Sequence, residues 1–170
     1  MMLLGGLLDR IILVIGVVAG GCIPSFVLQY RQRVGGRLDQ VAKDLAPFQE
    51  IANQQYGGSL DALVRHHQAS TDLTFSAEGA AVQAMIDTLR RLREAVQALN
   101  TDMLHQIIYL SGHMEPDVAR STWSVFNPTF VLTAESLLIA AAVGLSLWLV
   151  FLTLWYGTAA LVRRAHFALS

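Results

Sequence analysis

From Leu137 to Tyr156 the chain reads LLIAAAVGLSLWLVFLTLWY, twenty residues in succession without one ionisable side chain. A helix rising about 1.5 Å per residue crosses the roughly 30 Å hydrocarbon core of a bilayer in that length. In hydrocarbon every backbone N–H and C=O needs a partner within the segment, and a helix supplies one. The flanks suit a span as well. Thr133 can cap the helix, Glu135 complements its positive end, Trp155 and Tyr156 fit the headgroup level, and Arg163 and Arg164 close the far side.

A second run, Ile11 to Gln29, has nineteen uncharged residues between Asp9-Arg10 and Arg31, Arg33. A cleaved signal peptide is the competing reading, since small residues stand at Ala19, Gly20 and Gly21. The apolar run continues past them to Leu28, which favours a retained span. Pro24 cannot donate to the carbonyl of Gly20, so a kink is expected there. Gly16 and Gly20 form a small-xxx-small pair, matched by Ala140 and Gly144 on the other span. These four are candidate membrane-packing residues, although small residues are also simply common in membrane helices.

Composition narrows the class further. The chain is 54% hydrophobic and 15% charged, whereas charged residues approach about a quarter of an ordinary soluble domain. Two spans and one modest extramembrane domain use up its 170 residues. A formal net charge of −1 gives no basic surface for phosphate neutralisation, so nucleic acid is not an expected partner. The single cysteine, Cys22, excludes an intramolecular disulfide and a cysteine metal cluster.

Between the spans the apolar period changes. Val34, Leu38, Val41, Leu45, Phe48 and Ala52 are spaced four, three, four, three and four apart, with Arg37, Asp39, Lys43, Asp44 and Glu50 between them. That is a coiled-coil-like heptad seam on a helix with a solvated face. Gly35-Gly36 is a candidate flexible joint and Pro47 a candidate bend. Gly57-Gly58 should end the helix, Ser59 cap a short one through about Gln68, and Ser70–Thr74 connect onward. A longer helix then starts near Ser76, with a second seam at Val82, Met85, Leu89, Leu92, Val96 and Leu99. Seams 34–52 and 82–99 share a period and can zip into an antiparallel hairpin within one chain. A helix from Met103 to Met114, offering Ile107, Ile108 and Leu110, and one from Asp117 to Phe126 containing Trp123 are expected to cover the rest. No stretch alternates with period two, so no sheet is expected. The reading is an all-α membrane protein: a transmembrane helix in 1–30, a helical hairpin or bundle in 31–128, and a transmembrane helix with a short tail in 129–170.

No catalytic, cofactor-binding or metal constellation emerges. His66 and His67 are adjacent and so point about 100° apart on a helix, while His105 and His113 are two turns apart. All five histidines, His166 included, read as surface or boundary residues. Phosphate loops, nucleophile elbows and zinc-protease helices are missing, and Gly57-Gly58-Ser59 lacks a following Lys. Arg31, Arg33, Arg37, Arg163 and Arg164 are candidate contacts for lipid headgroups or an acidic partner. Arg90, Arg91 and Arg93 could join them, or form a solvated face with Asp87 and Glu94.

The order Gln29-Tyr30-x-Gln32-Arg33-x-Gly35-Gly36-x-Leu38-Asp39, then Phe48-Gln49-x-Ile51-Ala52, Gly57-Gly58-Ser59-Leu60, and Trp123-x-x-Phe126-x-Pro128 resembles an uncharacterised family of small proteobacterial inner-membrane proteins, a domain of unknown function. The resemblance covers nearly the whole chain and implies a bacterial inner membrane and a complete protein. It carries over no functional residue.

Two functions fit. One is a non-enzymatic accessory or scaffolding subunit of an inner-membrane complex, docked on a larger assembly or self-associating, with the lipid bilayer as its other partner and no cofactor. The alternative is a two-span sensor or regulator whose helical domain binds a ligand or partner. Against it, only Leu161 to Ser170 follow the second span, so a signal would need a separate receiver. The Arg pair at 163–164 and the resemblance favour cytoplasmic termini and a periplasmic central domain.

Overall fold

The computed structural model describes residues 2–168, and the side chains of residues 7–158. Six helices follow one another with no strand among the described residues: α1 (Met2–Gln55), α2 (Leu60–Gln68), α3 (Leu73–Ala98), α4 (Met103–His113), α5 (Pro116–Trp123) and α6 (Ala134–Ala168). The chain divides into two compact units, one of Met1–Leu28 with Val125–Ser170, the other Gln29–Ser124.

In the first unit, α1 and α6 each contain a segment long and apolar enough to cross a membrane. Only 11% of the most apolar window of α6 is buried, unlike a core helix of a soluble domain, whose apolar residues are covered by its own fold. Thr133 caps α6 as its sequence implies: the Ser136 N–H donates to Thr133 Oγ1 at 3.2 Å, and the two hydroxyls lie 2.8 Å apart.

The second unit is built on the two seams. Leu45 and Ala52 of α1, Leu63 and Val64 of α2 and Val82 of α3 form a buried cluster. Val41, Phe48, Tyr56, Leu60, Met85, Ile86 and Leu89 pack around it. The seams thus meet inside one chain, and α2 closes the end where they join. Each fully buried Leu or Val there contributes about 1.5–3 kcal/mol. The turn between α1 and α2 shows why it takes glycine. Gly57 and Gly58 have φ of 60° and 84°, a left-handed geometry that lets the Gly58 N–H reach back to the Ala52 carbonyl at 2.9 Å. Ser59 then caps α2 by accepting from the Ala62 N–H at 3.2 Å.

Several boundaries differ from the sequence reading. Helix α1 is helical without a break through Pro24, Gly35-Gly36 and Pro47, so no loop separates the first span from the first seam. Helix α3 begins at Leu73 rather than near Ser76, because Asp72 accepts hydrogen bonds from the N–H groups of Thr74 at 2.8 Å and Phe75 at 3.4 Å. Helix α5 stops at Trp123, three residues before Phe126. Its buried face is Val118 and Thr122, while Trp123 is 69% exposed, so the indole does not cover the hairpin core. On α4 it is Gln106 and Leu110 that are buried, and Ile108 is 59% exposed.

Truncating Leu63, which is 0% exposed, to Ala should cost about 2–5 kcal/mol, read by denaturant unfolding of the full chain. Leu89→Asp should unfold the helical unit equally at every protein concentration, because its core is intramolecular. Two glycine variants make a paired test. Gly35→Ala meets nothing within 4 Å and should stabilise α1 by about 0.5–1 kcal/mol. At Gly79 an added Cβ would lie 2.8 Å from the His67 Cβ, so Gly79→Ala should lower the unfolding midpoint by forcing α2 and α3 apart.

Candidate functional site

Two backbones approach closely between the candidate spans. A Cβ added to Gly16 would sit 2.9 Å from the Gly144 Cα, and one added to Gly20 would sit 3.0 Å from the Ala140 Cα and 2.8 Å from the Val143 Cβ. From the other side, a Cβ on Gly144 would meet Val17 Cγ2 at 2.6 Å. The structure therefore brings Gly16, Gly20, Ala140 and Gly144 together on one seam, with Ala140 1% exposed. Without side chains in the way, dispersion contacts form directly between the backbones, which is how helices associate where lipid removes the hydrophobic drive. One more member was not foreseen: the ring of Phe130 lies over Gly21 so closely that any Cβ there would overlap it. Phe26 and Phe126 pack edge to face beside it, with ring centroids 5.5 Å apart.

These contacts leave the outer faces open. Ile11, Val14, Ile15 and Val18 of α1 and Leu138, Leu145, Leu149 and Val150 of α6 are exposed. Such a pair of apolar faces is suited to lipid or to other membrane helices.

Of the candidate arginines, Arg31 is exposed and Arg33 and Arg37 are half-buried. The side chains of Arg163 and Arg164 lie outside the described residues, as does that of His166. Arg90 pairs with Asp87 one turn back, and Arg91 donates to Thr88 Oγ1 at 3.1 Å. Arg93 borders a shallow groove of about 300 Å³ with Gln49, Glu50 and Asn53, where Leu45, Leu60 and Leu89 supply the apolar lining. Gln49 is already engaged, donating to Asn53 Oδ1 at 2.9 Å and to the Gly58 carbonyl at 3.0 Å.

His67 corrects the reading of all histidines as surface or boundary residues. It is 7% exposed, its ring lies 3.9 Å from that of Phe75, and its Nδ1 stands 3.9 Å from Glu78 Oε2, beyond hydrogen-bond range. Gly79 makes this burial feasible, since its missing side chain lets α3 close on His67 and Gln68. His105 is held by Asp102, which caps α4 through the His105 N–H at 3.2 Å and also binds the ring Nδ1. Those hydrogen bonds hold the Asp102 carboxyl below its usual range. Among the described residues, no three His, Cys, Asp or Glu side chains gather as they would around a metal ion.

Tyr30 is a structural residue that sequence patterning missed. At the end of an uncharged run it resembles an interfacial aromatic, yet it is 2% exposed, and its hydroxyl accepts the Glu115 N–H at 3.0 Å. Glu115 is the N-cap of α5 and makes no side-chain cap of its own. Tyr30 therefore satisfies a backbone donor at a helix start that would otherwise be orphaned.

Gly144→Leu or Gly16→Leu should separate the spans, abolishing disulfide crosslinking between cysteines placed on α1 and α6, while Gly157→Ala, with nothing within 4 Å, should leave it intact. Asp102 gives a pH prediction. Its folded pKa is depressed, so its contribution is present above the ordinary carboxylate range and is lost as pH falls through the folded value. Amide-exchange protection in α4 should fall on acidification, and Asp102→Asn should remove that pH dependence.

The family model described as "Protein of unknown function (DUF2937)" matches residues 4–164. No curated protein and no solved structure matches the chain. With nearly its whole length matched, the chain belongs to the DUF2937 family.

Proposed function

We propose that this DUF2937 protein is a non-enzymatic accessory or scaffolding subunit of a bacterial inner-membrane complex, anchored by α1 and α6 and presenting the helical unit on one side of the membrane. The observation that carries this reading is how its chemistry-bearing side chains are used. Asp102 caps a helix and holds His105, Arg90 pairs with Asp87, and His67 packs on Phe75. Groups so engaged stabilise a scaffold and are poorly placed to act as acid, base or nucleophile. The outer faces of α1 and α6 carry branched apolar residues beyond those the two helices use on each other, which supplies a surface for a membrane partner.

The proposed topology has both termini cytoplasmic and residues from about 31 to 128 periplasmic, supported by Arg10, Arg163 and Arg164 on one side. A reporter fused after Ser170 that is active only in the cytoplasm agrees with it; activity only in the periplasm overturns it. The groove between Leu45 and Leu89 favours the second reading, a sensor whose helical unit takes a small ligand. Purification from native membranes at endogenous level separates the two. An accessory subunit should co-purify with a fixed set of membrane proteins in constant ratio. A monomer recovered alone, with a ligand in the helical unit, would replace the scaffold reading with the sensor.

A further inference from the structure

The groove bordered by Arg93 lies wholly within the helical unit, and its walls can be placed along α1. Helix α2 starts beside Gln49, which donates to the Gly58 carbonyl, and ends beside Tyr56, whose ring lies 5.6 Å from that of His66. It therefore runs in the same sense as α1. Helix α3 reverses through residues 69–72 and packs Gly79 on His67, so it is antiparallel to both. Leu45 and Leu89 share the groove, so Arg93 stands one turn nearer Ala42 and Glu50 lies toward the closed end.

Helical side chains lean toward the N-terminal end of their own helix. Glu50 on α1 thus leans back over Ala46 and Arg93 on α3 leans back over Leu89, which brings opposite charges toward one level from opposite walls. They nevertheless form no ion pair. Arg93 makes neither an ion pair nor a hydrogen bond with a described residue, whereas Arg90 pairs with Asp87 and Arg91 donates to Thr88. Glu50 Oε1 accepts from Gln54 at 2.8 Å, which leaves Oε2 open. Gln49 commits its amide nitrogen to Asn53 and Gly58, which leaves its side-chain carbonyl as an acceptor at the groove. Between the charges the floor is apolar. Leu45 is buried and Leu60 and Leu89 are half-buried, while Ala42 and Ala46 add little bulk and keep the floor open. A volume of about 300 Å³ stands at the lower end of small-molecule sites.

From this we infer that the groove binds a free α-amino acid with an apolar side chain. The Arg93 guanidinium receives the carboxylate, Glu50 Oε2 and the Gln49 carbonyl receive the ammonium, and the side chain lies on Leu45, Leu60 and Leu89. A zwitterion completes the charge pair that the two walls leave apart, which neither a fatty acid nor an amine does. The inference names the ligand class for the sensor reading and rests on that reading.

The test is equilibrium dialysis of tritiated L-leucine against the full chain in phosphatidylethanolamine–phosphatidylglycerol nanodiscs, with circular dichroism as the check on folding. The expected result is saturable binding, weakened about tenfold or more by Arg93→Gln and by Glu50→Gln, since each removes a charge-assisted contact. Ala46→Leu should abolish it by filling the floor, and Thr71→Ala, at an exposed position outside the groove, should leave it unchanged. Competition by 4-methylpentanoate or 3-methylbutylamine, each lacking one of leucine's charges, should be weaker by about the same factor. Arg93 and Glu50 are exposed, so their variants keep the fold and decide the matter even if Ala46→Leu does not fold. Absence of saturable binding, or binding that both charge variants leave unchanged, overturns the inference. Equal competition by 4-methylpentanoate does so too, because Glu50 then has no part. A photo-crosslinker attached at Ala46→Cys, in a Cys22→Ala background, that captures another polypeptide in native membranes shows a protein covering the groove and also overturns it. If leucine fails but the protein from native membranes carries a different small molecule in the helical unit, the amino-acid assignment falls and the sensor reading stands. If it carries none, both fall.

Discussion

The apolar stripe that α1 carries from Val41 to Ala52 has to be covered, and what covers it determines the rest of the helical unit. The same chain supplies the cover through Val82, Met85, Ile86 and Leu89 of α3. For α3 to return along α1, the chain must reverse in a few residues, and the two left-handed glycines at 57 and 58 let it do so. Helix α2 then fills the closed end with Leu63 and Val64. Its packing against α3 requires a missing side chain at Gly79. Intramolecular closure is favoured because the loop entropy of joining segments about 30 residues apart grows only with the logarithm of their separation.

The candidate spans obey a different rule. Their contact is not made by large apolar side chains, which lipid solvates as well as protein does, but by removing side chains so that backbones touch. Gly16 against Gly144 and Gly20 against Ala140 do this over one helical turn, and the ring of Phe130 fills the space left at Gly21. Ser25 and Ser136 are buried in the same unit at 5% and 1% exposed. Small and hydroxylic residues on the inner seam and branched apolar ones outside form the reverse of a soluble helix pair.

Local rules made much of this legible. The runs without charge, the heptad spacing of the seams, the caps at Ser59 and Thr133 and the glycine turn are all properties of neighbouring residues. The small-residue pairs could be named from spacing, which left open whether the two spans or neighbouring copies would pack through them. What escaped depends on partners far away in sequence. The burial of His67 needs Gly79, and that of Tyr30 needs the start of α5. Trp123 is expected to help cover the remaining side of the hairpin, yet Val118 and Thr122 take the inner face of α5 and the indole is exposed. The continuity of α1 through Gly35-Gly36 and Pro47 also runs against local propensity. Hydrogen bonding on either side of each residue, with Val34 and Leu45 buried nearby, outweighs the cost of one glycine pair or one missing donor.

The bond from Glu115 to Tyr30 joins residues 85 positions apart. A ribosome adding about 5–20 residues per second would take roughly 4–17 s to make the second partner after the first. During that interval α1 has been made with its stripe bare, and the Tyr30 hydroxyl has no Glu115 amide to accept. Biogenesis of this protein is therefore a matter of timing. The nascent first helix has to be kept from aggregating, by the insertion machinery or by the bilayer, until the segment that completes it has been translated.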